Sequence, residues 1–139
     1  MITIVIIAIT VIVSLIAFSK REILSALMFN AFSVYHEKKY YRMFSHGLVH
    51  GSFSHLFFNM LTLFFFGRYA EEWFRAAWGQ TGGSVLYVVM YVTALAVSSI
   101  ADLVKHKDNP KYNAIGASGA VSAVLFSSVL FDPKMGIYI

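Results

Sequence analysis

The chain has 139 residues, of which 58% are hydrophobic and 13% are charged. Soluble domains carry about half apolar and a quarter charged residues, so this composition argues against a soluble globular protein. The mean hydropathy of +0.68 points to lipid as the solvent of most of the chain. The net charge of +4 comes from scattered basic residues with no basic stripe, which argues against a nucleic-acid partner. The absence of cysteine excludes disulfides, thiolate metal sites and a cysteine nucleophile.

Four apolar stretches approach the roughly 20 residues that a helix needs to cross a bilayer. They are residues 2–18, 53–67, 83–101 and 114–131. We therefore predict an all-α integral membrane protein, a multi-pass bundle of transmembrane helices in which residues 1–139 form one unit surrounded by the lipid bilayer. The apolar residues after Asp132 and Pro133 predict the beginning of a further element.

Three polar segments separate these stretches. Residues 19–52 are long and place aromatic residues beside basic ones, which predicts a large structured loop at the membrane interface. Residues 68–81 and 102–113 are predicted to be shorter polar loops.

The second stretch opens with a cluster of polar side chains. His55 and Asn59 are spaced i, i+4, so they share one face of a helix and can donate two hydrogen bonds toward one point. His50 lies about 140° away around a regular helix, so it should not point at the same atom. The alternative is that His55 and Asn59 form structural hydrogen bonds between helices.

A metal site is the other interpretation of these histidines. His46 and His50 have the i, i+4 spacing of a zinc-binding pair, but Gly47 stands where a metalloprotease has its glutamate. Because no third ligand is evident, we expect neither a metal nor another cofactor.

The fourth stretch opens with Gly116-Ala117-Ser118-Gly119. Small residues on both sides leave the Ser118 hydroxyl approachable, and the start of a helix offers free N–H groups to a developing oxyanion. A serine needs a base to act as a nucleophile. The alternative is that these small residues only allow close helix packing.

Taken together, the histidines, Asn59 and the Gly-x-Ser-Gly motif resemble the rhomboid family of intramembrane serine proteases. The resemblance implies the first four core helices of that family. It makes Ser118 the nucleophile, with His55, Asn59 and the Ser118 N–H as the oxyanion hole. Arg42 matches the arginine of the family's Trp-Arg motif, with Tyr41 in place of tryptophan. Glu71 matches a glutamate that holds the loop after the second helix.

The general base of the family is a histidine on the sixth core helix. Only 21 residues follow Ser118, too few for two further spans, so the resemblance implies that the base lies outside this chain. We therefore expect an intramembrane serine endopeptidase that cleaves transmembrane segments of other membrane proteins, and we expect these 139 residues alone to be inactive. The alternative is a non-catalytic rhomboid-like protein that binds client transmembrane helices.

Two arguments about membrane orientation disagree. Basic residues are concentrated in the first and third loops, which taken alone places those loops in the cytoplasm. The resemblance implies the opposite orientation. We expect that orientation, because the positive-inside rule is based on short connecting loops and the first loop is predicted to be folded and partly embedded in the membrane.

Overall fold

The computed structural model describes residues 1–134, and the element predicted to begin after Pro133 lies outside the described residues. The predicted all-α architecture is confirmed, with four long helical segments and one two-residue strand pair. The long segments are α1 (Ile2–Ser19), the consecutive helices α5 (Phe53–Thr62) and α6 (Arg68–Trp78), α7 (Gln80–His106) and α8 (Ser118–Phe131).

The first helix, α1, buries its polar side chains and exposes its apolar ones. Thr3, Thr10 and Ser14 are fully buried against the rest of the protein, whereas Ile9 and Ile12 are exposed. A helix in water shows the reverse pattern, so this distribution is the one expected of a helix that faces lipid on its outer side. The helix ends at Lys20, whose backbone is extended.

The second span is longer than predicted. A π-helical turn at Leu63–Gly67 joins α5 to α6, so the helix continues to Trp78 instead of ending at residue 67. The predicted loop 68–81 is therefore wrong, and the chain leaves helical geometry only at Gly79, whose φ of 79° favours glycine. The charged residues of 68–78 mark the polar end of a continuing helix.

The remaining helix boundaries also differ from the hydropathy limits. Helix α7 extends beyond 83–101 at both ends, and its 27 residues measure about 40 Å. Helix α8 begins at Ser118 because Asn113–Ala114 (β2) pairs antiparallel with Phe29–Asn30 (β1). Among residues 1–134, α1 and α7 are the two helices that qualify alone as membrane spans by length and composition. Helix α8 is shorter, and the pair 42–48 and 53–78 qualifies together across a 95° bend.

The loop 19–52 is folded, and its position at the membrane interface stays a prediction. Besides β1 it contains three short helices, α2 (Arg21–Leu27), α3 (Ala31–His36) and α4 (Arg42–Ser45), and a 3-10 turn at His46–Leu48. Buried Arg42 donates from Nη1 to the carbonyl oxygens of Ser25, at 2.7 Å, and Met28, at 2.8 Å. These bonds occupy carbonyls at the C-terminal end of α2, where a cation is favourable.

The core lies where α5, α6, α7 and α8 meet α1. Its buried apolar side chains are Leu56, Met60, Leu63, Ala70, Tyr87, Tyr91, Leu95, Ala117, Ala120, Val121 and Val124. This packing places the first residue of α8 beside the first turns of α5.

The expected role of Glu71 in holding a loop is wrong. Its fully buried carboxylate accepts hydrogen bonds from the backbone N–H groups of Ile2 and Thr3, both at 2.9 Å, and pairs with Arg75 one turn later. The free N–H groups that begin α1 are therefore satisfied by a side chain of α6.

We predict that Glu71→Gln lowers the free energy of unfolding by about 2 kcal/mol, because an amide replaces a carboxylate oxygen where only donors converge. Unfolding of the detergent-solubilised chain by increasing dodecyl sulfate measures this. Glu72→Gln is the matched control, since Glu72 is an exposed neighbour. Equal stability of the two variants would contradict the capping role.

Candidate active site

Ser118 is exposed at the first position of α8, at the end of the bundle that also carries the loop 19–52. The β1–β2 pair fixes the chain four residues earlier, and Gly116 then turns it with a φ of 110°. A Cβ at Gly116 would lie 2.6 Å from Cε1 of His55, so only glycine permits both this backbone conformation and this close approach.

The structure brings His55, Asn59 and Ser118 together. Nε2 of His55 lies 3.1 Å from Oγ of Ser118, and Nδ2 of Asn59 donates to the same oxygen at 3.4 Å. The predicted shared face of the two α5 residues is therefore present. The Ser52 hydroxyl starts this helix by accepting the backbone N–H of His55 at 3.2 Å.

His50 takes part in a separate chain of hydrogen bonds behind the serine. Its Nδ1 lies 3.0 Å from Oγ of Ser14, which donates to the carbonyl oxygen of Leu48 at 2.9 Å. Its Nε2 accepts the backbone N–H of Ala117 at 3.5 Å. Because Ser14 has one proton and gives it to Leu48, the consistent tautomer of His50 carries its proton on Nδ1.

Burial keeps His50 neutral. The residue lies in the link 49–52, outside the helices that cross the membrane, and its side chain is fully buried. Desolvation, with a smaller contribution from the neighbouring His55, lowers its pKa to about 4. The two rings meet edge to face with centroids 5.0 Å apart. His50 therefore supports the segment before Ser118 as an uncharged residue. As predicted, it does not point at the serine oxygen, but the reason is not helical spacing: His50 precedes α5 and bonds to Ser14 and Ala117.

His46 also contacts the segment before the serine. Its Nδ1 and Nε2 lie 3.1 Å from the carbonyl oxygens of Gly116 and Leu95, and its own carbonyl accepts the N–H of Gly116 at 2.9 Å. Sequence reasoning missed this role, because His46 and Gly116 are 70 positions apart. The ring nitrogens of His46 and His50 thus face different partners. Within residues 1–134 no cluster of three or more His, Cys, Asp or Glu residues is placed to hold a metal ion.

Comparison with known proteins decides the family. The family model of the rhomboid domain matches residues 37–138, which is more than half of the chain. The chain belongs to the rhomboid family. It is 28% identical over 106 residues to RHOMBOID-like protein 12, mitochondrial, of Arabidopsis thaliana, with 68% of this chain and 32% of that protein covered. This chain thus spans about a third of the length of that relative.

In this rhomboid chain, small residues bring α8 against α7. A Cβ at Gly119 would lie 2.3 Å from Cβ of Ser98, so a larger residue cannot occupy position 119 without moving one of the helices. The predicted close packing at the Gly-x-Ser-Gly motif is therefore present, together with an exposed Ser118. Close helix packing and an approachable serine, which were alternatives in the sequence, are therefore both present at this motif.

We predict that the protein loses stability as the pH falls from about 6.5 to about 4. The folded pKa of His50 is lowered to about 4, so over this range the unfolded chain binds a proton that the folded chain excludes. The stability that neutral His50 contributes is therefore complete above its unfolded pKa of about 6.5, and it is lost as the pH falls through the folded pKa of about 4. Thermal unfolding at a series of pH values measures it.

His50→Gln keeps an oxygen that can accept from Ala117 but does not titrate, so we expect it to flatten the pH dependence over this range. His36→Gln is the control, because His36 is exposed and far from the buried chain of hydrogen bonds. A pH dependence that persists in His50→Gln and disappears in His36→Gln would assign the effect to the surface histidine.

Proposed function

We propose that this rhomboid chain supplies the nucleophile and the oxyanion donors of a serine protease that cleaves transmembrane segments of other membrane proteins. The observation that carries the proposal is the convergence of His55 Nε2 and Asn59 Nδ2 on Oγ of Ser118. Membership of the rhomboid family and the two long apolar helices support a location within the membrane.

The first chemical step is attack by Oγ of Ser118 on the scissile carbonyl carbon. The carbonyl oxygen then takes up negative charge beside the amide of Asn59, the imidazole of His55 and the backbone N–H of Ser118. That N–H begins α8, so it has no acceptor within its own helix. Each donor aimed at a developing oxyanion contributes on the order of 3 kcal/mol to the stability of the transition state.

The hydroxyl proton of Ser118 must leave during this attack. Since Asn59 Nδ2 can only donate, it holds Oγ as an acceptor and leaves the hydroxyl proton free to point elsewhere. Of the five histidines, His55 is the one whose ring lies within hydrogen-bond distance of Oγ among residues 1–134. We nevertheless assign His55 to the oxyanion, because the family resemblance implies that role. We place the general base on a histidine outside this chain for the same reason.

The surroundings of the serine favour an apolar, extended substrate. Phe58 is exposed on α5, three positions after His55 and next to Asn59 in the sequence. A transmembrane segment that unwinds beside α5 would cover this ring while its carbonyl reaches Ser118. We propose a small residue before the cleaved bond, as the resemblance to rhomboid proteases implies. No metal or organic cofactor takes part in this scheme.

We predict that a fluorophosphonate probe labels the complete gene product at Ser118, and that Ser118→Ala abolishes labelling. Mass spectrometry of the labelled protein identifies the site. Ser122→Ala is the matched control, because Ser122 is an exposed serine one turn further along α8 and has no contact with His55 or Asn59. Labelling that survives Ser118→Ala would refute the nucleophile, and a complete protein that never reacts would favour a rhomboid that binds client helices without cutting them.

We predict that residues 1–139 alone do not cleave a transmembrane substrate at a measurable rate. Removing the base from a serine protease leaves only the catalysis owed to binding and the oxyanion hole, which is lower by several orders of magnitude. The assay uses the purified chain in liposomes with a fluorogenic transmembrane substrate. Ser118-dependent cleavage by this chain would show instead that His55 serves as the base.

A further inference from the structure

The net charge of the protein resides at one end of the bundle. The serine end, which we define as residues 20–52 and 102–118, carries eight of the 11 basic and four of the seven acidic residues. The remaining basic residues, Arg68, Arg75 and Lys134, lie at the opposite end with three acidic residues. The whole net charge of +4 therefore lies at the end where Ser118 opens to solvent.

Two lysines from separate parts of this end converge on one aromatic ring. Nζ of Lys38, in the first loop, lies 5.5 Å from the ring centroid of Tyr35, and Nζ of Lys107, just after α7, lies 4.8 Å from it. Tyr35 is exposed. We call Lys38 and Lys107, which lie over the ring of Tyr35, the Tyr35 lysine pair.

The backbone of Lys38 is unusual. With a φ of 59° it is the one non-glycine residue of the described range 1–134 with a positive φ. A left-handed lysine is strained, and such strain persists only where the surroundings hold it. Hydrogen bonds from the N–H groups of Lys39 and Tyr40 to the carbonyl oxygens of Ser33 and Lys38 fix this turn, which directs Lys38 back over Tyr35.

The acidic groups next to these lysines are paired with other residues. Asp108 lies 2.9 Å from Nε2 of His36, and Glu37 lies 2.9 Å from Nζ of Lys39. Within residues 1–134, Lys38 and Lys107 have no carboxylate within ion-pair distance. Two ammonium groups around one exposed ring, without carboxylate partners, leave this part of the surface positively charged, so an anion that binds here would be attracted by both.

We propose that the serine end is a docking surface for anionic phospholipid headgroups, with the Tyr35 lysine pair as its principal contact. Three observations favour lipid over an acidic protein segment. Tyrosine is a residue of the membrane interface, Tyr35 lies in the loop where the apolar helices end, and Lys20 and Arg21 follow directly on α1. This inference is independent of the proposed protease activity.

Spin-labelled lipids test the proposal. The intact chain is reconstituted in zwitterionic bilayers with spin-labelled phosphatidylglycerol or phosphatidylcholine, and electron paramagnetic resonance gives the immobilised fraction of each. We expect a preference for phosphatidylglycerol that falls about fivefold or more in the double variant Lys38→Gln, Lys107→Gln. The matched control is Arg68→Gln, Lys134→Gln, which removes the same charge from the opposite end and should retain the preference.

Two further measurements keep the test independent of folding. The variant Lys38→Arg, Lys107→Arg keeps both charges and should retain the preference. Raising the salt from about 10 mM to about 1 M shortens the screening length from about 30 Å to about 3 Å and should abolish the preference in the unaltered chain.

Other results would overturn the proposal. These are no preference for phosphatidylglycerol in the unaltered chain, equal losses in the lysine and control variants, or an unchanged preference in Lys38→Gln, Lys107→Gln. If that last variant instead loses crosslinking to an acidic peptide while its lipid preference is unchanged, the surface binds a protein segment and the lipid assignment is wrong.

Discussion

The antiparallel pairing of Phe29–Asn30 with Asn113–Ala114 is the contact on which the geometry around Ser118 depends. It joins the first loop to the segment that enters α8, across 83 positions between Asn30 and Asn113. The side chain of Asn30 reinforces it by donating to the carbonyl oxygens of Pro110, at 2.9 Å, and Tyr112, at 3.3 Å. Within the hydrocarbon of a bilayer, irregular backbone is tolerated only when its polar groups find partners in the protein or line a water-filled cavity. The loop is therefore part of the site, because it holds the turn that presents the serine.

Three histidines complete the geometry around Ser118, one at the serine oxygen and two behind the backbone that precedes it. His55 meets the serine oxygen, while His46 and His50 hold the backbone of Gly116 and Ala117 behind it. His46 and His50 bond only to backbone groups and to Ser14, so they shape the turn without contacting the Ser118 hydroxyl. The three histidines therefore lie close together in the sequence and yet bond to different partners.

Much of the architecture could be predicted from the sequence, and the misses share a cause. Hydropathy located the apolar part of each long helix, and helical spacing placed His55 and Asn59 on one face. Hydropathy failed at residues 68–78, because it scores charged residues as loop even where Glu71 turns inward to another helix. The contacts of His46 and Glu71 link residues 70 and 69 positions apart, and no local pattern reports such contacts. The family resemblance singled out His55, Asn59 and Ser118, which the structure brings together, but it assigned Glu71 to the wrong element.

The inward-facing hydroxyl groups of α1 have a consequence for biosynthesis. Thr3 and Ser14 find their partners on Glu71 and in the segment Leu48–His50, all of which leave the ribosome after α1 is complete. Until α6 has been made, the first turn of α1 has free N–H groups and a row of hydroxyls with only lipid or translocation machinery to meet them. Helix α1 is thus satisfied only after later parts of the chain have been made, and the Glu71 carboxylate is one of the partners on which its docking depends.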